Sequence, residues 1–161
     1  MRVPKFRAWN VHEKKMFTND QIIIWNGNVY ANDNSELNVD NLKGWSIDEK
    51  YLMQSTGFFD KNGEEIFEGD LVKVIDTSIF GGTFVGEIVF LPTFGLYGFN
   101  MLDTKVLKIK DFSKYSRGFL MRDFGNCFTL AESNLKKEQY TVEIIGNVWE
   151  NPELLEDAEQ Y

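Results

Sequence analysis

The sequence predicts a mainly β protein, built as a small barrel or a set of curled sheets. Three observations carry that reading. Aromatic residues make up 15% of the 161 residues, with 14 Phe, 6 Tyr and 4 Trp, and aromatic side chains fit pleated surfaces. Short apolar runs alternate with turns that contain Gly. No long segment repeats its apolar residues at the 3.6-residue period of a helix.

The central stretch, residues 51–75, organises the rest. Asn62-Gly63 lies between Phe58-Phe59 and Ile66-Phe67, the pattern of a type I′ hairpin with positive φ at both turn residues. Asp60 precedes the turn and is placed to accept hydrogen bonds from the N–H groups that follow it. Glu68-Gly69-Asp70 forms a second tight turn. It feeds Leu71-Val72-Lys73-Val74-Ile75, a β-branched run that reads as a strand buried on most of both faces.

The remaining elements follow in order. Arg2 to Trp9 alternates as a strand with one wet face, Val3, Lys5 and Arg7 opposing Phe6 and Ala8. A polar turn at 10–15 leads to Met16-Phe17. Ile22 to Trp25 and Val29-Tyr30 bracket Asn26-Gly27, a second hairpin signal. Residues 31–50 read as an irregular excursion anchored by Trp45 and Ile47. Strands are expected over 83–91, 97–102, 106–109 and 141–148, the last interrupted at Gly146-Asn147. Phe119-Met121 and Cys127-Leu130 flank a turn at 123–126. Asn151-Pro152-Glu153 opens a short helix, with Asn151 as N-cap and Pro152 at the first helical position.

Composition narrows function more by exclusion than by assignment. One Cys, Cys127, rules out an internal disulfide or a Cys-based metal cluster, and one His, His12, rules out a His-rich metal site. No apolar leader follows the start, and no apolar run nears the ~20 residues that span a bilayer. A soluble protein of a reducing cytoplasm is expected. The net charge is −8, unevenly spread. Residues 51–102 and 138–161 are acidic, whereas 103–137 are basic.

No P-loop, dinucleotide fingerprint, zincin helix or nucleophile elbow is present. No catalytic residue, cofactor or metal ligand is assigned. Asp60, Glu64, Glu65, Glu68 and Asp70 lack the spacing of an EF-hand loop and read as turn residues rather than cation ligands or a carboxylate pair. His12 reads as a surface residue and Cys127 as a small buried hydrophobe. The basic island is the one candidate interface: Lys105, Lys108, Lys110, Lys114, Arg117 and Arg122 interleave with Phe112, Tyr115 and Phe119. Such a mixture can track phosphates and stack bases, although the net charge opposes polyanion binding at long range.

Three blocks carry a resemblance: KFRAWN with KKMF (5–10 and 14–17), LMQSTGFFDKNGEEIFEGDLVKV (52–74) and EIIGNVWENPELL (143–155). In this order they resemble the YopX family of phage and prophage proteins, nearly end to end. The resemblance implies an SH3-like barrel with additional N-terminal strands and a short C-terminal helix. It gives a single domain with a β extension over 1–50, a barrel body over 51–150, and a helix and tail over 151–161. It also implies a bacterial host cytoplasm, and it brings no catalytic or binding residues with it. The expectation is a non-enzymatic accessory module that binds a host or phage protein, or itself as a homo-oligomer, with no membrane. It is expected to present an exposed aromatic or apolar patch fed by Trp9, Trp25, Trp45 or Trp149. A nucleic-acid-binding accessory using 105–122 is the second reading and is not favoured. An acidic inhibitor of a host nucleic-acid-binding protein is the third.

Overall fold

The computed structural model describes residues 3–31, 45–77, 82–92, 95–101 and 138–155. They form eleven antiparallel strands, two 3-10 turns (Asn19–Gln21 and Glu49–Tyr51) and one short α-helical turn at 153–155, so the protein is mainly β. The chain divides into two compact units, Met1–Ser55 and Thr56–Tyr161.

In the first unit, β1 (Phe6–Asn10) pairs on one side with β2 (Lys15–Phe17) and on the other with the start of β6 (Leu52–Phe59). A separate sheet has the order β3 (Ile22–Trp25), β4 (Asn28–Ala31), β5 (Trp45–Ile47). Ala8, Phe17, Val29, Ala31 and Ile47 form the core of this unit. The wet face expected for the first strand is absent over Ala8–Asn10, which are all buried. Strand β1 pairs with β2 over Ala8–Asn10 and with β6 over Phe6–Ala8. Trp45–Ile47 is a strand rather than part of an irregular excursion, because Ile47 pairs with Val29 and Trp45 with Ala31.

The Asn26-Gly27 hairpin forms as its dipeptide dictates. Trp25 pairs with Asn28, and both intervening residues have positive φ, 51° and 77°. That is the type I′ signature, whose twist matches the strands it joins.

In the second unit, the end of β6 faces β7 (Glu65–Phe67). A four-stranded sheet follows in the order β10 (Leu96–Met101), β9 (Thr83–Leu91), β8 (Asp70–Asp76), β11 (Tyr140–Asn147). Strand β8 is central, and Leu71, Val72 and Val74 are fully buried, as the β-branched run predicts. With Ile66, Ile88, Phe99, Tyr140 and Val142, Val72 and Val74 make the core. Each such side chain contributes about 1.5–3 kcal/mol over its exposed state. The break expected at Gly146-Asn147 is a register shift in β11 between Ile144 and Gly146, which leaves Ile145 as an extra, exposed residue.

The second Asn-Gly turn departs from expectation. Only Gly63 has positive φ, 84°, and Asn62 does not. Asp60 and Glu64 close the loop, the Asp60 N–H donating to the Glu64 carbonyl at 2.8 Å and the Gly63 N–H to the Asp60 carbonyl at 3.1 Å. This is a three-residue loop with Gly at its left-handed position, rather than a two-residue type I′ turn. The Asp60 side chain holds the wider loop, as described below.

The expected strand at 106–109, the turn at 123–126 and Cys127 lie outside the described residues, as do the expected segments at 119–121 and 127–130.

Candidate functional site

The seven residues of the basic candidate interface, Lys105, Lys108, Lys110, Lys114, Tyr115, Arg117 and Arg122, also lie outside the described residues. Among those described, two kinds of feature bear on function: a set of polar side chains bound into turns, and apolar side chains left in solvent.

The polar set begins at Asp60, which is buried. Its Oδ1 accepts from the backbone N–H of Asn62 at 2.8 Å and of Glu64 at 2.9 Å. Its Oδ2 accepts from the Ile144 N–H at 3.2 Å and from Asn62 Nδ2 at 3.3 Å. Both oxygens are thereby committed to orphan donors of the turn and of β11. Next to it, the Lys61 N–H donates to the Val142 carbonyl at 2.8 Å, and Lys61 Nζ lies 2.8 Å from Glu143 Oε2. Asp70 is fully buried, and its Oδ2 accepts from the Phe67 N–H at 2.8 Å across the Glu68-Gly69 corner. That corner is fixed on both sides, since the Gly69 N–H donates to the Ile88 carbonyl and the Gly69 carbonyl accepts from the Val148 N–H.

Asn147, also buried, continues the pattern. Its Oδ1 accepts from the N–H groups of Trp149 at 3.1 Å and Glu150 at 2.9 Å, and its Nδ2 donates to Glu150 Oε2. Asn151 differs from its expected role as a helix cap. Its Oδ1 reaches back to accept from the Asn147 N–H at 3.2 Å. The helical turn at 153–155 is held instead by Leu154 and Leu155 N–H groups donating to the Asn151 and Pro152 carbonyls. In the first unit, Asn10 repeats the device of Asn147, accepting from the His12 and Glu13 N–H groups.

The carboxylates around the central turns therefore build backbone geometry. Asp60 and Asp70 have inward-facing oxygens bound by N–H donors, while Glu64 is exposed. The described residues hold no cluster of three or more His, Cys, Asp or Glu suited to a metal ion. His12 is exposed, in the β1–β2 turn.

Sequence reasoning missed one titratable group. Burial raises the pKa of Glu87 on β9, opposed by a hydrogen bond with Asn100 and reinforced by the charge of Glu68. Burial, with the same Glu68 charge, also raises the pKa of Tyr97, whose ring meets Phe90 edge-on at 5.3 Å. The available signal was a lone acid, Glu87, in the middle of an otherwise apolar strand.

Trp9 is buried, Trp149 is partly buried, and Trp25 is 70% exposed beside Ile24 at 46%. The Trp45 side chain lies outside what the structure describes. Elsewhere Phe59, Phe90, Leu96 and Ile145 are exposed in the second unit. No helix among the described residues is long and apolar enough to cross a membrane.

Comparison with known proteins gives a family and a structural neighbour. A family model described as YopX protein matches residues 5–156. No curated protein matches the chain. Among solved structures it is similar to protein EF1440 from Enterococcus faecalis, at 27% sequence identity, covering 96% of this chain and 99% of that one, with a TM-score of 0.50.

Proposed function

The chain belongs to the YopX family, and on that premise we propose that it is a non-enzymatic phage or prophage accessory that binds a protein partner through its β3–β4 hairpin. In this reading the second unit supplies an SH3-like barrel body, and the protein acts in a bacterial host cytoplasm. One observation carries the reading. Trp25, a large amphipathic ring, stands 70% exposed at the end of a hairpin whose turn is fixed by Asn26-Gly27. Trp has only two side-chain torsions to fix on binding, and it is among the residues that most often anchor interfaces. The committed carboxylates support the non-enzymatic part, since Asp60 and Asp70 hold backbone N–H groups.

The test is affinity capture from host lysate with wild-type and Trp25→Ala baits, each with and without nuclease. Capture of a protein that survives nuclease and is reduced at least several-fold by Trp25→Ala is the expected result. Capture that disappears with nuclease and is indifferent to Trp25→Ala would replace this reading with a nucleic-acid one.

A further inference from the structure

We propose that Asn26 is a site of spontaneous deamidation, and that Asn62, in an identical Asn-Gly dipeptide, is protected from the same reaction by Asp60. The reaction needs no enzyme. The backbone nitrogen of the following Gly attacks the Asn side-chain carbonyl carbon, forming a C–N bond, and the side-chain nitrogen leaves as ammonia. Water then opens the five-membered succinimide at either carbonyl, giving aspartate or isoaspartate. One water is consumed, one ammonia is released, and no electrons change hands.

Steric access does not separate the two sites. All four residues are exposed, and a Cβ built on Gly27 or Gly63 would meet nothing within 4 Å. Hydrogen bonding does separate them. At the second turn, the attacking Gly63 N–H donates to the Asp60 carbonyl at 3.1 Å. The side-chain amide to be displaced, Asn62 Nδ2, donates to Asp60 Oδ2 at 3.3 Å, and the Asn62 N–H donates to Oδ1 at 2.8 Å. Nucleophile, leaving group and the backbone that joins them are tethered to one buried residue.

At the first turn, Asn28 Nδ2 donates to the Asn26 carbonyl at 3.3 Å. That bond restrains neither the Gly27 nitrogen nor the Asn26 amide. The turn closes four-residue strands and sits beside exposed Trp25, so it is the kind of element that opens locally at little cost. Breaking even one charge-assisted hydrogen bond to Asp60 makes the reactive geometry at Asn62 roughly tenfold rarer. Either product places a new negative charge next to Trp25, and isoaspartate also adds a backbone carbon to the two-residue turn.

The experiment is peptide mapping by mass spectrometry of the full chain aged in mildly alkaline buffer, folded and in denaturant. In the folded chain, conversion at Asn26 should outpace that at Asn62 by roughly tenfold, and in denaturant the two rates should converge. In Asp60→Ala, with folding checked by circular dichroism, the Asn62 rate should rise towards that of Asn26. The wild-type comparison of folded and denatured chain decides the matter if that variant does not fold. Equal rates in the folded chain overturn the proposal, as does a difference that persists in denaturant.

Discussion

At Asp60, burial and hydrogen bonding pull the carboxyl in opposite directions. Burial raises its pKa, but the N–H groups of Glu64, Ile144 and Asn62, with the Asn62 side chain, together outweigh it, and the net shift is below the ordinary 3.8. The folded state then binds fewer protons than the unfolded one. The group's stabilisation is present above the unfolded pKa and is lost as pH falls through the folded pKa. Asp60→Ala should cost about 1–3 kcal/mol at neutral pH, because it takes the charged acceptor away from the N–H groups of Asn62, Glu64 and Ile144. Urea unfolding should show that gap narrowing once the pH drops below about 4. Glu87 has the opposite sign. Burial raises its pKa above the ordinary 4.5, so its charge works against the fold, and stability falls as pH rises through the folded pKa. Glu87→Gln should therefore be more stable than wild type at neutral pH, and the advantage should vanish in acid. The role of Asp60 was readable in the sequence because an Asx residue before a turn has few other uses. Glu87 was not, because its burial depends on which strands flank β9.

The elements were readable to the extent that local chemistry decides them. Ile22 to Ala31 folded as its dipeptide turn requires, and the run after Gly69 became the buried central strand. The type I′ expectation failed at Asn62 because a side chain one turn away, Asp60, stabilises a wider loop than the dipeptide alone prefers. Trp45–Ile47 escaped because a three-residue strand has too little alternation to register, and only pairing with β4 makes it one. Strand β11 ends in a constrained segment. A Cβ on Gly146 would lie 2.5 Å from Asn151 Oδ1 and 2.8 Å from its Cγ. Gly146→Ala must displace a side chain that holds the Asn147 N–H, at a cost of about 1–2 kcal/mol. Because the clash and the lost bond involve the same partner, the double variant with Asn151→Ala should cost less than the sum of the singles. A double-mutant cycle by chemical denaturation measures that coupling.

Across the whole molecule, the family blocks turn out to be structural joints. The middle block supplies Asp60, Lys61 and Gly69, and the C-terminal block supplies groups they bind, Ile144, Glu143 and Val148, with Val142 immediately before it. The sequence therefore announces its family largely through turns. Residue chemistry alone did not locate a site for the same reason: a polar residue committed to a backbone joint looks the same in sequence as one poised for a ligand. The distance between those joints in the chain has a consequence for how the protein is made. The hydrogen bond from Ile144 to Asp60 spans 84 positions, so a ribosome must translate β11 before the Asp60 loop can be fastened. Until then β8 has an unpaired edge lined by Leu71, Val72 and Val74, and unpaired apolar edges invite association between nascent chains. On the growing chain, the first unit has all its strands available once β6 emerges, whereas the second unit waits for its last strand.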